Sequence, residues 1–419
     1  MSSPTTTRAA ARTVEAVWRI ESARLIAALA RTVRDIGLAE DLAQDALVAA
    51  LEQWPESGVP DNPGAWLMAV AKRRAVDRVR RQITLDRKLK QIGRDLDETE
   101  DPVDETEFDR HVDDDVLRLM FTACHPVLAP PSRVALALKV LTGLSTDEIA
   151  RAFLVPSATM AQRIVRAKRA LADADVPLEV PVGDELAARL ESVLEVVYLV
   201  FNEGYSATSG NQLTRPALCE EAMRLGRILA ALEPDEPETH ALVALMELQA
   251  SRLPARTDAA GNAIMLLEQN RGRWDRLLIT HGLDALARAE RIGRPPGSYF
   301  LQASIAACHA RANTPEQTDW SRIAALYTLL AATTGSPVVE LNRAVAVGMS
   351  DGPTAGLSIV EQLVEHGALD KYHLLYAVRA DLLAKLGRTD AARADFERAA
   401  AMTANERERA LLLARATEC

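Results

Sequence analysis

The sequence predicts an all-α protein with several domains. Apolar residues recur with helical spacing in segment after segment, and no alternating pattern persists long enough to suggest a β-sheet. Aromatic residues make up only 4% of the 419 residues, whereas alanine and leucine are abundant. A single hydrophobic core rarely grows beyond about 250–300 residues, so a chain of this length is expected to divide into domains.

The first informative segment, residues 39–54, predicts an amphipathic helix. One side carries Leu42, Ala46, Ala49 and Ala50. The other sides are rich in carboxylates and amides, which come from Asp41, Gln44, Asp45 and Glu52. Such a face is either a solvated helix surface or a contact for a partner, and composition favours neither alternative.

A strongly basic helix is predicted next. Asn62 is placed to cap it and Pro63 occupies the first helical position, from which the helix runs to about Arg81. One acid, Asp77, pairs at four-residue spacing with a neighbouring arginine. Its six basic residues therefore exceed what one pair absorbs, and they are suited to neutralising phosphates: Lys72, Arg73, Arg74, Arg78, Arg80 and Arg81. Trp66 is expected in the core.

Residues 144–171 predict a helix-turn-helix. Ser145 and Glu148 have the spacing of a capping box, and Pro156 and Ser157 are expected to end one helix and cap the next. The second helix buries Met160, Ile164, Ala167 and Leu171. Its other faces carry the residues expected to contact a DNA major groove, namely Ser157, Thr159, Gln162, Arg163, Arg166 and Lys168. A solvated helical hairpin is the alternative.

An acidic run separates the two basic modules. Between Asp95 and Asp115 there are twelve acidic residues and one basic residue, Arg110. This run, with Pro102 inside it, contributes much of the net charge of -10 and predicts a solvated linker.

In this order the segments resemble the extracytoplasmic-function (ECF) group of bacterial RNA polymerase sigma factors, over about residues 10–175. The resemblance is carried by AEDLAQD from Ala39, by the tract from Trp66 to Arg81, and by the helix from Ser157. It implies that Asp41, Gln44 and Asp45 bind core RNA polymerase. It also implies that the helix from Asn62 opens and reads the minus-ten promoter element as melted DNA, and that the helix from Ser157 reads the double-stranded minus-thirty-five element. In the family the linker lies in the RNA-exit path, as a mimic of nucleic acid.

The remaining sequence resembles the ECF subgroup that is usually numbered forty-two, which has a long helical extension. The matching segments are YLVFNEGYSA from Tyr198, ALMELQASR from Ala244, LEQNRGRWDR from Leu267 and LNRAVAV from Leu341. Six apolar residues also have tetratricopeptide-repeat spacing: Tyr376, Ala380, Leu383, Ala392, Phe396 and Ala399. The expected domains are region 2 (1–90), the linker (91–112), region 4 (113–178) and a stack of helical hairpins (183–419).

The extension is expected to pack against the two DNA-binding modules, either as a docking platform or as an inhibitory clamp. The segment from Phe201 to Tyr205, with exposed-looking Asn202 and Glu203 between aromatic residues, is predicted to lie in that contact. Burial in the extension's own core is the alternative.

Other classes of protein are disfavoured. Four dispersed cysteines predict a reduced, cytoplasmic protein, and no apolar run reaches membrane-spanning length. No cofactor or metal site is predicted, and the possible acid-base residues Glu203, His240, His281 and His309 do not cluster, so no enzyme is predicted. A one-component transcription regulator with a ligand-sensing helical domain is the main alternative, although it has no need for residues 39–81.

Overall fold

The computed structural model describes residues 4–75, 115–153, 155–206, 214–258, 262–367, 369–403 and 405–419. Most of these residues are helical, and an isolated antiparallel bridge joins Thr257 and Ala263. The predicted all-α class is therefore confirmed. The chain divides into two compact units, Met1–Val196 and Val197–Cys419. No helix in the described ranges is both long and apolar enough to span a bilayer.

The first unit contains a hairpin of two long helices, the start of a third helix, and a four-helix group. Their bounds are α1 Pro4–Val33, α2 Ile36–Ser57, α3 63–75, α4 115–123, α5 Pro130–Leu141, α6 Thr146–Ala152 and α7 Ser157–Asp173. The predicted apolar faces are confirmed, because Leu42, Ala46, Ala49 and Ala50 of α2 and Met68 and Ala71 of α3 are all buried. The linker prediction at 91–112 and the predicted helix beyond residue 75 lie outside the described residues.

Helices α6 and α7 form the predicted helix-turn-helix. The capping box is confirmed, because the amide of Ser145 donates to Glu148 Oε2 (2.8 Å) and the amide of Glu148 donates to Ser145 Oγ (3.2 Å). The second predicted cap is wrong: Pro156 is the capping residue of α7, and Ser157, already helical, donates its hydroxyl to Asp147 instead. Met160, Ile164, Ala167 and Leu171 are buried as predicted.

The two modules of the first unit touch each other. The indole Nε1 of Trp18, on α1, donates to the carbonyl of Gly143, in the turn before α6 (3.1 Å). Gly143 has a left-handed backbone with φ of 69°, and a Cβ at this position would lie 2.6 Å from the Ser22 hydroxyl of α1. Only glycine is compatible with both the conformation and the close approach.

The prediction that Asp115 is the last residue of a solvated acidic run is wrong. Its side chain is buried, with Arg118 Nη1 at 2.8 Å and Arg31 Nε at 3.4 Å from its carboxylate. A buried carboxylate needs such cationic partners, and the composition of the run gave no sign of them. Asp115 therefore belongs to the folded start of α4.

Helix α8, Asp184–Tyr205, begins in the first unit and ends in the second. Its first half lies against α4 and α5. Arg189 donates to the carbonyl of Phe121 (3.0 Å), and the hydroxyl of Ser192 donates to the carbonyl of Cys124 (2.5 Å). Both acceptors lie at the carboxyl end of α4, where helical carbonyls lack intrahelical partners, so α8 stabilises that end.

The second unit is a succession of helices, in which neighbours along the chain pack against each other. After the second half of α8 come α9 Pro216–Leu232, α10 Pro237–Ala250, α11 Arg276–Ile292, α12 Ser298–Arg311, α13 Trp320–Thr334, α14 Pro337–Ser350, α15 Pro353–Glu365, α16 His373–Lys385, α17 Thr389–Met402 and α18 Glu406–Glu418. Short 3-10 helices at Leu253–Ala255, Leu266–Glu268 and Arg271–Arg273 lie between α10 and α11.

Helices α16 and α17 form a hairpin with a common core. The six residues with repeat spacing, from Tyr376 to Ala399, are all buried in that core. Gly387 makes the turn between the helices with φ of 73°, in the left-handed region. The hairpin is thus built as the spacing predicts, and membership in the repeat family stays a prediction.

The segment from Phe201 to Tyr205 packs within the second unit. Phe201 is fully buried and its ring stacks on Tyr205, with the ring centres 5.6 Å apart. Asn202 and Glu203, expected to be exposed, are partly buried, and Glu203 pairs with Arg215. These contacts correspond to the alternative in which the segment belongs to the extension's own core.

Candidate nucleic-acid and polymerase interfaces

The outer face of α7 is basic and accessible. Thr159, Gln162 and Arg166 are exposed and Arg163 is partly exposed, on the side opposite the buried stripe. Among the described residues, neither Arg163 nor Arg166 has an ion-pair partner. The face is therefore free to donate hydrogen bonds to phosphates or base edges.

Lys168 is placed differently from the other α7 residues predicted to bind DNA. Its ammonium group donates to the carboxylate of Glu40, on α2, and its side chain is only 17% exposed. In this arrangement Lys168 joins the two modules, and its availability to DNA requires that this contact open.

The basic helix α3 begins as predicted, with the side chain of Asn62 accepting from the amide of Ala65 (3.0 Å). Arg73 is exposed, Lys72 is partly exposed, and Arg74 lies 3.5 Å from Asp45 of α2. Arg78, Arg80 and Arg81 lie outside the described residues. Trp66 is partly buried and packs edge-on against the buried Trp54, with ring centres 5.3 Å apart.

The acidic face of α2 is only in part a free surface. Asp41 and Asp45 are exposed, and Asp45 faces Arg74. Gln44 is partly buried and its amide donates to Glu40. The predicted polymerase residues thus form a short exposed row, with Gln44 turned towards the neighbouring buried carboxylate.

Glu40 is a residue that sequence reasoning missed. Its side chain is 5% exposed, and Lys139 Nζ of α5 lies 3.4 Å from its carboxylate, in addition to the contact with Lys168. A glutamate flanked by alanine and aspartate looks like one more surface acid. The pattern of α2 gives no signal for it, because both lysines come from a module that lies far along the chain.

The acid-base residues of the extension come together only in part. His240 and His281 line a cavity of about 230 Å³ between α9, α10 and α11, together with Glu247 and Arg227. Arg227 donates to the buried Glu247 (2.7 Å), and His240 Nε2 forms a hydrogen bond with the carbonyl of Pro234 (2.8 Å). The side chains of Arg227 and His240 therefore make structural contacts within the extension. In the described part of the chain, no group of three histidine, cysteine or acidic residues is placed to hold a metal ion.

Comparisons with known proteins identify the two modules. Sigma-70 region 2 matches residues 20–83, and Sigma-70 region 4 matches residues 118–171. The ECF RNA polymerase sigma factor SigK of Mycobacterium sp. strain KMS is 30% identical over 149 residues, which are 34% of this chain and 72% of that protein. The chain belongs to the ECF sigma factor family.

Two further relatives show how far the likeness extends. The probable ECF sigma factor SigI of Mycobacterium tuberculosis is 31% identical over 169 residues, 40% of this chain and 57% of that protein. An uncharacterized protein of Rhizobium meliloti strain 1021 is 45% identical over 387 residues, 92% of this chain and 90% of that protein. No solved structure matches the chain significantly.

The family assignment shows which helices belong to which sigma region. Helices α2 and α3 lie in sigma region 2, and the helix-turn-helix of α6 and α7 lies in region 4. Residues 189–290 match a family of unknown function (DUF6596). That match starts inside α8 and ends inside α11, so it covers the first part of the extension of this ECF sigma factor.

Proposed function

We propose that this ECF sigma factor binds core RNA polymerase, recognises promoter DNA and initiates transcription, with α2 on the polymerase clamp. The observation that carries the proposal is the exposed basic face of α7, held by a capped helix-turn-helix in the same unit as a second basic helix, α3. Two separated basic helices are suited to two promoter elements, because each contributes its own phosphate and base contacts.

The residues proposed for DNA fall into two groups. Thr159, Gln162, Arg163 and Arg166 are accessible on α7 and are proposed to contact the minus-thirty-five element, with Ser157 at its start and Lys168 after the module contact opens. Lys72, Arg73 and Arg74 of α3 are proposed to contact the minus-ten element beside Asn62, followed by Arg78, Arg80 and Arg81. Asp41, Gln44 and Asp45 are proposed for the polymerase.

The extension is proposed to be a docking platform that belongs to the subgroup numbered forty-two. Support comes from α8, whose first half is fixed on α4 and α5 by Arg189 and Ser192. Arg133 of α5 adds an ion pair with Glu195 of α8, with Arg133 Nη1 and the Glu195 carboxylate 3.0 Å apart. Removing the extension at residue 183 therefore also removes the groups that cover one end of region 4.

Promoter-specific transcription with purified core polymerase tests the proposal. The full-length chain should direct transcripts from promoters selected from a random library, and core polymerase alone should not. The double variant Arg163→Ala with Arg166→Ala tests the basic face of α7, and it should abolish promoter selection while α7 stays folded. A chain that binds an operator but never supports transcription would show that the one-component regulator is the correct alternative.

A further inference from the structure

Three guanidinium groups gather in one region of the second unit. Arg252 Cζ lies 5.7 Å from the centre of the Trp274 ring, and Arg271 Cζ lies 4.9 Å from the same ring. Arg256 Cζ stacks 3.8 Å above the ring of Tyr205. The aromatic rings hold the guanidinium groups in place without neutralising their charge.

In the described part of the chain no carboxylate forms an ion pair with these arginines, although the Glu316 carboxylate acts on Arg271 at longer range. Arg271 donates to the carbonyls of His309 (2.8 Å) and Ala312 (2.6 Å) and to the hydroxyl of Thr318 (3.0 Å), which are all neutral. The side chains of Arg252 and Arg256 form neither a hydrogen bond nor an ion pair there. The residues of the second unit outside the described set include no aspartate or glutamate, being 207–213, 259–261, 368 and 404.

Several polar atoms around the arginines are buried without a hydrogen-bond partner. They are Arg252 Nε, Arg256 Nη1, the Tyr205 hydroxyl, Trp274 Nε1, Gln269 Oε1 and His309 Nδ1. Buried polar atoms are nearly always paired in folded proteins, so a group of them in one place needs an explanation. Most of these atoms belong to groups that donate hydrogen bonds, which points to an acceptor as the missing partner.

The local field is strongly positive. Burial lowers the pKa of the Arg252 guanidinium, and the charge of the neighbouring Arg256 lowers it further. Burial, together with the positive charges of Arg252 and Arg271, lowers the pKa of His309 to about 4. Burial raises the pKa of Tyr327, another neighbour of Arg252, to about 12, so its hydroxyl stays protonated at neutral pH. An anion is the species that such a field stabilises.

We propose that Arg252 and Arg256, with the hydroxyl of Tyr205, bind the phosphate group of a small phosphorylated molecule. Two unpaired guanidinium groups match the two negative charges of a phosphate monoester, and each presents parallel N–H donors to its oxygens. As whole residues, Arg252 and Arg256 are both partly exposed, which gives a ligand a route to them from the surface. The family of unknown function would then be a ligand-binding domain.

The proposal also accounts for three sequence segments that the sigma activity leaves unexplained. The segment from Tyr198 contains Tyr205, the segment from Ala244 ends at Arg252, and the segment from Leu267 contains Arg271 and Trp274. They lie far apart in sequence, and the fold brings their basic and aromatic side chains together.

Calorimetric titration of the full-length protein, without polymerase or DNA, tests the site directly. Inorganic phosphate and glycerol 3-phosphate should bind saturably at constant ionic strength, and succinate, a dicarboxylate, should bind at least 10-fold more weakly. Arg252→Gln and Arg256→Gln should each weaken phosphate binding at least 10-fold, whereas Arg288→Gln, at an exposed arginine of α11, should leave it unchanged. Equal binding of succinate, or unchanged phosphate binding by both variants, would overturn the proposal.

Thermal unfolding of the ligand-free protein separates binding from a structural role. Because Arg252 has no counter-charge, Arg252→Gln should leave the Tm unchanged or raise it, while the rise in Tm caused by phosphate disappears. A lower Tm with an undiminished response to phosphate would show that Arg252 only supports the fold. The outcome does not depend on transcription, so it is distinct from failure of the sigma function.

Discussion

The ammonium group of Lys168, on α7, donates to the buried carboxylate of Glu40, on α2. With Lys139 Nζ at 3.4 Å from the same carboxylate, this contact joins sigma region 4 to sigma region 2. Promoter elements centred near minus ten and minus thirty-five are roughly 80 Å apart at about 3.4 Å per base pair. Helices that touch in this way are unable to occupy both elements at once, so we expect the contact to open on the promoter.

Glu40→Gln should therefore favour separated modules. The substitution leaves two partly buried lysines without a carboxylate, and breaking a buried pair typically costs about 3–5 kcal/mol. Double electron-electron resonance between spin labels at exposed Glu52 and Arg169 should show a longer mean distance in the variant. Glu56→Gln, at an exposed acid of the same helix, is the matched control and should leave the distance distribution unchanged.

Charge reversal at Asp41 and Asp45 should weaken binding to core polymerase by at least 10-fold, because an interface charge pair becomes a repulsion. Binding is measured by fluorescence anisotropy of the labelled sigma factor. The control is Glu56→Lys, which changes charge on the same helix. An unchanged affinity of the double variant would remove α2 from the polymerase interface.

Arg163 and Lys72 should differ in their effects on promoter binding. Arg163→Ala should relax preference at one or two positions of the upstream element, and Lys72→Ala should weaken binding to every sequence and lower its salt dependence. Selection from a randomised promoter library, at two salt concentrations, measures both effects. The same sequence-independent loss in both variants would contradict the division between base and phosphate contacts.

The effect of truncating the extension on stability and transcription should depend on where the chain is cut. A protein ending at Val182 loses Arg189 and Ser192, which cap α4, so region 4 should unfold at a lower temperature than in a protein ending at Val196. We expect both truncations to lower promoter-dependent transcription, the shorter protein more strongly. Calorimetry and run-off transcription measure the two effects. Transcription at the full-length rate by both proteins would show the extension to be dispensable.

His309 should make the second unit less stable in mild acid. Its pKa is about 4 when folded and near 6.5 ordinarily, so the unfolded chain takes up the proton first as the pH falls. Stability is thus lost between about pH 6.5 and pH 4, by up to about 1.4 kcal/mol per pH unit. His309→Gln should flatten this dependence in urea unfolding measured across that range. An identical pH dependence in the variant would rule out His309 as its source.

Much of the architecture follows from local patterns in the sequence. The capping box at Ser145, the stripe from Met160 to Leu171 and the hairpin residues from Tyr376 to Ala399 are all local, and the structure has each as predicted. Propensity and periodicity determine such features within a few turns of helix. The error at Ser157 is also local, since a nearby Asp147 takes the hydroxyl that was expected to cap α7.

The features that could not be predicted from the sequence depend on partners that lie far along the chain. Glu40, Asp115 and Arg189 look like surface charges in sequence, and each is buried by groups that lie far along the chain. The lack of an ion-pair partner for Arg252 could not be predicted for the same reason, because it is established only when all of the neighbours of Arg252 are known. Charged residues that acquire their role through tertiary contacts leave no periodic signal.

The close approach of Trp18 to Gly143 has a consequence for how tightly promoter DNA is bound. Because both elements are reached only by separated modules, a sigma factor that is mostly closed offers few molecules that are ready to bind, and its apparent affinity for the promoter falls by that fraction. With roughly 1% of molecules open, the apparent dissociation constant is about 100-fold weaker than the intrinsic one. A bulkier side chain at position 143 would then tighten promoter binding without contacting the DNA, by enlarging the competent population.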